Sequence, residues 1–174
     1  MRIFVALELP EQVIRGITDW QKPLISQYSS LNWVHGDRMH LTLRFFGDIF
    51  DSRIKEIYEI MSSWHPGSLH FSLHSTGTFG KSRLPSVYWL GGTFPEEILA
   101  IAEKLGTLPD EKGKRAKKKF VPHLTVARSK RPSEPLKLEP PGELRGVFTE
   151  AAVINSRLTS SGSKYTFLER YDLH

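Results

Sequence analysis

The chain has 174 residues and a formal net charge of +5, and 39% of its residues are hydrophobic. This length and apolar content are typical of one compact soluble domain, or of two small lobes that share a core. The lack of cysteine excludes disulfides, thiolate metal sites and cysteine nucleophiles. The N-terminal segment has no signal-peptide pattern and no apolar run long enough to span a bilayer, so we expect a cytoplasmic protein without membrane contact.

Hydrophobic periodicity predicts three helices among a larger number of strands. The predicted helices begin near Pro10, Asp51 and Pro95, where a proline or an N-capping aspartate opens an amphipathic run. The predicted strands span residues 2–9, 31–34, 39–46, 69–79, 86–90, 120–127, 147–158 and 164–173. Because strands outnumber helices and hairpins recur, we predict an α+β fold with antiparallel sheets. The polar loop 110–119, which is rich in lysine, and the Pro-rich segment 131–142 are predicted to be irregular.

The same tripeptide opens two of the predicted strands, as His40-Leu41-Thr42 and as His123-Leu124-Thr125. In a strand, residues i and i+2 lie on the same face, so each copy places an imidazole beside a hydroxyl with leucine opposite. Two such strands facing each other would surround one small site with two histidines and two threonines. A single copy is typical of a structural histidine beside a strand-favouring threonine, but one copy in each half favours catalysis.

These residue types suit the opening of a cyclic phosphate by water. That reaction requires a base for the water and an acid for the departing oxygen. Histidine can take either role near neutral pH because its ordinary pKa is about 6.5. Each threonine hydroxyl can donate a hydrogen bond to a non-bridging phosphate oxygen and stabilise the charge that develops there. This scheme needs no metal and no other cofactor.

Five segments also carry a resemblance to a known family. They are RIFVALELP near the start, MHLTLRFFGDI and FVPHLTVAR around the two motifs, SVYWLGG between them, and SRLTSSGSKYTFLERYDL at the end. In their order and spacing, over essentially the whole chain, they resemble the RNA 2′,3′-cyclic phosphodiesterases. These belong to the two-histidine (2H) phosphoesterase superfamily and were once named 2′-5′ RNA ligases.

The resemblance implies both a fold and a reaction. The fold would be bilobal and pseudo-twofold, with two antiparallel sheets that form a central groove and helices outside. Residues 1–174 would be a single domain made of two related lobes. The reaction would be hydrolysis of an RNA-terminal 2′,3′-cyclic phosphate to a 2′-phosphate, and reverse 2′-5′ ligation would follow from microscopic reversibility.

The resemblance also implies a role for each motif residue. His40 would be the proton donor to the leaving 3′ oxygen, and His123 would be the proton acceptor that activates water. Thr42, Thr125 and Arg128 would bind the substrate. Strict alternation places Arg128 on the opposite face from Thr125, so its role requires a bulge or the end of the strand. Otherwise Arg128 is an ordinary surface arginine.

The segment KGKRAKKKF before the second motif is more basic than the resemblance leads us to expect. It has two interpretations, a rim that attracts the RNA backbone or a mobile solvated loop. Alternation also places Arg44 on the same strand face as His40 and Thr42, where it would line the groove. Of Phe45 and Phe46, at least one is predicted to pack in the core.

We expect a monomer whose partner is RNA with a 2′,3′-cyclic phosphate end. One alternative on the same fold is a phosphodiesterase for small cyclic nucleotides or for a cyclic phosphate of ADP-ribose. Another alternative is a nucleotide or RNA binding module without turnover. The two histidines argue against the binding module, because binding alone needs no acid–base pair.

Overall fold

The structure is a computed structural model that describes residues 1–81, 84–129, 136–160 and 162–174. The helices are α1 (Glu11–Gln27), α2 (Asp51–Ser62) and α3 (Glu96–Gly106). The strands of the described ranges are β1 (Arg2–Glu8), β2 (Leu31–Trp33), β3 (His40–Asp48), β4 (Leu69–Lys81), β5 (Leu84–Thr93), β6 (Leu124–Ser129), β7 (Leu144–Phe148), β8 (Glu150–Thr159) and β9 (Gly162–Asp172). The predicted α+β class is confirmed. No helix in these ranges is both long and apolar enough to cross a membrane.

The strands form an antiparallel sheet in the order β7-β4-β5-β6-β3-β1-β8-β9, and β2 pairs with β6. Its two halves meet between β3 and β6, where Leu41 pairs with Leu124. Further along, the same edge of β6 pairs with β2 from Ala127 to Ser129, so β3 and β6 separate. The two predicted antiparallel sheets are therefore two halves of one hydrogen-bonded sheet, and a motif strand forms the inner edge of each half.

One face of the sheet packs against the helices. The buried hydrophobic residues of all three helices belong to the same apolar cluster as Leu41 and Leu124, the central leucines of the two motifs. A second, smaller apolar cluster on the opposite face includes Phe4 and Ala6 from β1, with Tyr165 packed against it. Since side chains alternate along a strand, residues next to Leu41 and Leu124 face away from the helices.

Several boundaries differ from the prediction. The second motif strand, predicted over 120–127, runs from Leu124 to Ser129, so His123 lies just before it. Phe50, not Asp51, is the N-cap of α2, and Asp51 lies in the first turn, where a carboxylate still interacts favourably with the helix dipole. The predicted strand 147–158 is divided at Thr149 into β7 and β8. These strands lie toward opposite ends of the sheet order, yet only one residue separates them along the chain. The sheet must therefore be strongly curved, so that its two ends lie close together at Thr149.

The predicted irregular segment 131–142 falls partly outside the described residues, which resume at 136. From Leu136 to Glu143 the chain has no regular structure. Leu138 is nevertheless buried, and its carbonyl accepts a hydrogen bond of 2.6 Å from the Thr76 hydroxyl on β4.

Candidate active site

The pairing of Leu41 with Leu124 decides how the two motifs meet. Because the strands are antiparallel, this register places His40 alongside Thr125, and Thr42 alongside His123. Both leucines have 0% exposure on the helix-covered face, so the four polar side chains share the other face. The structure thus brings the two predicted histidines and the two predicted threonines together around a local twofold axis.

The ring of His123 is held by its neighbours in a defined orientation. Its Nδ1 lies 2.7 Å from the carbonyl oxygen of Val121. Because a carbonyl can only accept, Nδ1 carries the proton and donates, which leaves Nε2 for substrate chemistry. The rings of Phe79 and Trp89 lie edge-on to the imidazole, at centroid distances of 4.7 and 6.2 Å.

His40 is held in a corresponding way. Its ring forms a hydrogen bond with the backbone of Arg38, two residues upstream, as His123 does with Val121. The ring of Phe4 stacks on the imidazole at a centroid distance of 4.9 Å, and Tyr165 approaches edge-on at 5.6 Å. Each histidine therefore has a backbone partner two residues before it and two aromatic neighbours from other strands.

The aromatic neighbour Trp89 depends on a glycine on the adjacent strand. Gly77 on β4 pairs with Trp89 on β5. A Cβ atom at Gly77 would lie 2.1 Å from the indole ring, closer than atoms can approach. Because glycine has no side chain, the indole of Trp89 can lie over Gly77 on β4. In this position the indole also contacts the His123 ring. The sequence carries no sign of this arrangement, since it depends on which strands are neighbours.

Burial and one cation disfavour the charged form of both imidazoles. Burial lowers the pKa of His40 to about 4, although its hydrogen bond with Arg38 acts in the opposite direction. Burial also lowers the pKa of His123, which is the less strongly shifted of the two. The positive charge of Arg128 lowers the pKa of both rings further. Both histidines are therefore mainly neutral at pH 7 in the ligand-free protein.

Arg128 reaches this face because β6 contains a bulge. Tyr88 on β5 pairs with Ala127, whereas the next residue, Trp89, pairs with Thr125. Val126 is thus an extra residue on β6, and it shifts the alternation by one position. Val126 and Ala127 are both buried, and Arg128 is exposed on the same face as Thr125. The bulge that the predicted role of Arg128 required is present.

A matching bulge on β3 overturns the expectation for Arg44. Val5 on β1 pairs with Arg44 and Ala6 pairs with Thr42, so Leu43 is the extra residue. Arg44 consequently lies on the side of α3, where its Nη2 donates to the carbonyl of Lys114 at 3.2 Å. It does not share the strand face of His40 and Thr42, although it lines the cavity that His123 also lines. Simple alternation failed here because a bulge cannot be seen in one strand alone.

The residue that occupies the site face of β3 instead is Phe45. It is 44% exposed, and its ring lies 6.3 Å from that of Phe4. Phe46 is buried, which confirms that at least one of the two packs in the core. Phe45 and Arg128 each follow a motif histidine by five residues. Each strand has one bulge between the histidine and this fifth residue, and the shared spacing of five was the trace of it in the sequence.

The two threonine hydroxyls remain available to a ligand. Thr42 and Thr125 are half-buried on the site face, and neither hydroxyl bonds to another residue within the described parts of the chain. In the same parts, no group of three or more His, Asp or Glu side chains is placed to hold a metal ion. The site thus offers two neutral imidazoles, two hydroxyl donors and one guanidinium, a set suited to binding an anion and transferring protons around it.

Comparison with known proteins agrees with this chemistry. Residues 7–89 match the family profile described as LigT like Phosphoesterase. An RNA 2′,3′-cyclic phosphodiesterase of Methanothermobacter thermautotrophicus is 31% identical over 99% of this chain and 99% of its own length. The chain belongs to the LigT-like phosphoesterase family.

Solved structures of LigT-like phosphoesterases and related proteins share the fold along the whole chain. A protein of Thermus thermophilus superposes with a TM-score of 0.85 at 27% identity, covering 99% of this chain and 98% of that one. The Escherichia coli LigT structure complexed with phosphate superposes with a TM-score of 0.78 at 25% identity, covering 99% of this chain and 96% of LigT.

In this LigT-like phosphoesterase, a cavity lies on each side of the motif residues. A cavity of about 740 Å³ is lined by His123, Phe79 and residues of the basic segment. A cavity of about 410 Å³ lies on the side of His40 and is lined by Tyr165, Arg38 and Lys164. Both volumes fall in the range of small-ligand sites. A substrate bound between the histidines therefore has room on either side.

Replacing Arg128 with methionine tests its position at the site. Without the guanidinium, the pKa of both imidazoles should rise, because a positive charge no longer opposes their protonation. Loss of a charge-assisted hydrogen bond should also raise KM about tenfold or more. An NMR titration of the histidine rings, together with steady-state kinetics, measures both effects. The control is Arg15→Met, at an exposed position on α1. If both variants have the same KM and the same histidine pKa values, Arg128 lies outside the site.

Proposed function

We propose that this chain hydrolyses an RNA-terminal 2′,3′-cyclic phosphate to a 2′-phosphate by acid–base catalysis between His40 and His123. The observation that carries the proposal is the Leu41–Leu124 register, because it places each imidazole beside the threonine of the other motif on one face. Two relatives add support. The Methanothermobacter relative is named for this activity, and E. coli LigT has been solved with phosphate.

The reaction proceeds by in-line displacement at phosphorus. The free Nε2 of His123 accepts a proton from water as the water oxygen forms a bond to phosphorus. The bond from phosphorus to the 3′ oxygen breaks, and His40 donates a proton to that oxygen. The phosphate remains on the 2′ oxygen. The imidazoles end with exchanged protonation states, and proton exchange with solvent restores them.

The other site residues act on the phosphate oxygens. The hydroxyls of Thr42 and Thr125 donate hydrogen bonds to the two non-bridging oxygens, where negative charge increases in the transition state. Arg128 adds a positive charge near both imidazoles. This charge favours binding of the anion, and the bound anion in turn offsets the effect of Arg128 on the histidines.

The assignment of His40 as donor comes from the family resemblance and depends on the substrate's own charge. A donor must be protonated, whereas burial holds the pKa of His40 at about 4 in the ligand-free protein. An anionic phosphate beside the ring raises that pKa, since it stabilises the imidazolium. In the ligand-free protein His123 is the more easily protonated ring, so the order of the free pKa values favours the reverse assignment.

The proposed function is tested with three substrates and a chelator. The protein is incubated with an RNA oligonucleotide that ends in a 2′,3′-cyclic phosphate, with 2′,3′-cyclic mononucleotides and with a cyclic phosphate of ADP-ribose. Phosphorus NMR identifies the product, and EDTA is added to half of the samples. We expect a 2′-phosphate product from the RNA, with a rate that EDTA leaves unchanged.

Other outcomes separate the alternatives. Turnover of only the small cyclic phosphates would replace the RNA substrate with a nucleotide. Binding of RNA with no product would favour a binding module. A 3′-phosphate product, or activity that EDTA removes and zinc or magnesium restores, would contradict the two-histidine mechanism.

The pH dependence should reflect the lowered pKa values of both histidines. The value of kcat/KM reports the free enzyme, so its maximum should lie below pH 6.5 and it should fall toward pH 8 as the donor loses its proton. The profile of kcat should lie at higher pH, because the bound phosphate raises both pKa values. Initial rates from pH 4 to pH 9 measure both profiles, and a kcat/KM maximum above pH 7 would contradict this prediction.

A further inference from the structure

The basic segment before the second motif, Lys112 to Lys119, is fastened to the rest of the protein rather than loose. The turn at its start is organised by Asp110, whose Oδ1 accepts the backbone N–H groups of Lys112 at 2.8 Å and Lys114 at 2.9 Å. Gly113 within this turn has φ +69°, a backbone conformation that glycine adopts without strain. The hydrogen bonds from Lys114 and Lys112 lower the pKa of Asp110, because they stabilise its carboxylate form.

Glu111 joins the turn to the end of β3. Its backbone N–H donates to the carbonyl of Phe46 at 2.8 Å. Its Oε2 accepts the backbone N–H of Asp48 at 2.7 Å. These two hydrogen bonds join the end of β3 to the residue just before the basic segment.

Two further contacts hold the middle of the basic segment. The N–H of Ala116 donates to the carbonyl of Gly106 at the end of α3, at 2.9 Å. Arg44 Nη2 donates to the carbonyl of Lys114 at 3.2 Å. The mobile-loop interpretation is therefore not supported for residues 110–116, because side chains and backbone from β3 and α3 hold them at several points.

The fixed segment forms one wall of the cavity of about 740 Å³ beside His123. Five cationic side chains line this cavity, whereas Glu103 is its single acidic lining residue among those described. The cations are Arg44, Arg115, Lys117, Lys118 and Lys119. None of them forms an ion pair with a carboxylate within the described residues, and Arg44 Nε is buried without a hydrogen-bond partner there. The guanidinium of Arg44 lies near enough to Asp110 to lower the pKa of that carboxyl, so the positive charge left for a ligand is mainly that of the other four side chains.

The cavity on the other side of the site is much less basic. It is lined by Arg38 and Lys164 but also by Asp37, and its volume is about 410 Å³. A polyanion bound at the histidines therefore gains more from extending along the His123 side.

We propose that the basic segment and Arg44 bind the phosphodiester backbone of the RNA strand that carries the cyclic phosphate. The segment is a binding surface that makes an oligonucleotide a better substrate than a mononucleotide. This inference rests on the proposed function, because it takes its substrate class from it. Lysine and arginine bind backbone phosphates without reading sequence, so the surface selects for chain length rather than for base.

The test neutralises three lysines of the segment and measures salt dependence. Lys117, Lys118 and Lys119 are changed together to glutamine. The matched control changes Arg15, Lys22 and Lys55 to glutamine, which removes the same charge from exposed positions on α1 and α2. Binding of a fluorescein-labelled RNA heptamer that ends in a 2′-phosphate is followed by anisotropy between 50 and 200 mM salt. Values of kcat/KM are measured for a cyclic-phosphate heptamer and for a cyclic mononucleotide.

Each backbone phosphate neutralised on a single strand contributes about 0.7 to the slope of log affinity against log salt. If all three lysines bind phosphates, the wild type should lose roughly 20-fold more affinity than the segment variant over this fourfold range of salt. The ratio of kcat/KM for the heptamer over the mononucleotide should fall in the segment variant, and the control should keep the wild-type slope and ratio.

Equal salt slopes for the wild type and the segment variant would overturn the inference. An equal loss in the control would also overturn it, since the effect would then come from net charge alone. Failure of the proposed function looks different, because the wild type would then turn over neither the heptamer nor the mononucleotide.

Discussion

Replacing either His40 or His123 with alanine is expected to reduce kcat by about 10²–10⁴-fold, the usual contribution of a positioned general acid or base. Both losses follow from the register that places the two imidazoles on one face beside the two threonines. The double variant should lose far less than the product of the two single losses, because groups that act as a unit are not additive. Single-turnover rates on a cyclic-phosphate RNA measure each loss.

The control for this prediction is His65→Ala. His65 is exposed in the loop after α2 and has no motif threonine, so its loss should leave kcat unchanged. Thr42→Ala and Thr125→Ala should each cost less than either histidine change, because each hydroxyl is one of several donors to the phosphate. A histidine variant that retains more than a tenth of the wild-type kcat would contradict a direct role in proton transfer.

The placement of the motif residues on one face could be predicted from the sequence because it depends on local spacing. A histidine and a threonine two residues apart share a face in any strand, and the repeat supplied the second pair. The central leucines were predictable as core for the same reason, and both have 0% exposure. What the spacing could not provide was the antiparallel pairing of Leu41 with Leu124, which depends on the order of strands in the sheet.

The faces on which Arg44, Phe45 and Arg128 lie could not be predicted from a single strand, because bulges decide them. On β3 the extra residue sends Arg44 to the helix side and brings Phe45 to the site, and on β6 it brings Arg128 there. A bulge is a property of two strands, since it exists only relative to the partner's register. The prediction for Arg44 failed for this reason, while the condition stated for Arg128 was met.

The aromatic neighbours of the histidines also could not be predicted from the sequence. Phe4 and Tyr165 are about 160 residues apart and meet at His40 because β1 lies between β3 and β8, with β9 beyond. Their burial of the ring lowers its pKa, a property of the tertiary environment that no tripeptide can encode. The anchoring of the basic segment by Asp110 and Glu111 likewise depends on side-chain contacts that only the folded chain displays.

A substrate with a better leaving group should separate the roles of the two histidines. The general acid matters because the 3′ oxygen of ribose is a poor leaving group unless it is protonated as the bond breaks. A 4-nitrophenyl phosphodiester releases a far less basic oxygen and needs little help from an acid. With this substrate His40→Ala should retain within about tenfold of the wild-type rate, whereas His123→Ala should keep its loss of about 10²–10⁴-fold, because water still needs a base.

The comparison must be made between substrates rather than from a pH profile. The two limbs of a bell-shaped profile belong to the coupled pair and do not identify either histidine. In the ligand-free protein His40 has the more strongly lowered pKa, which by itself would favour it as the base. If the 4-nitrophenyl substrate restores His123→Ala and leaves His40→Ala inactive, the roles are reversed and the pKa order of the free protein, not the family resemblance, assigns them. If it restores neither variant, the two imidazoles do not divide proton transfer between water and the leaving group.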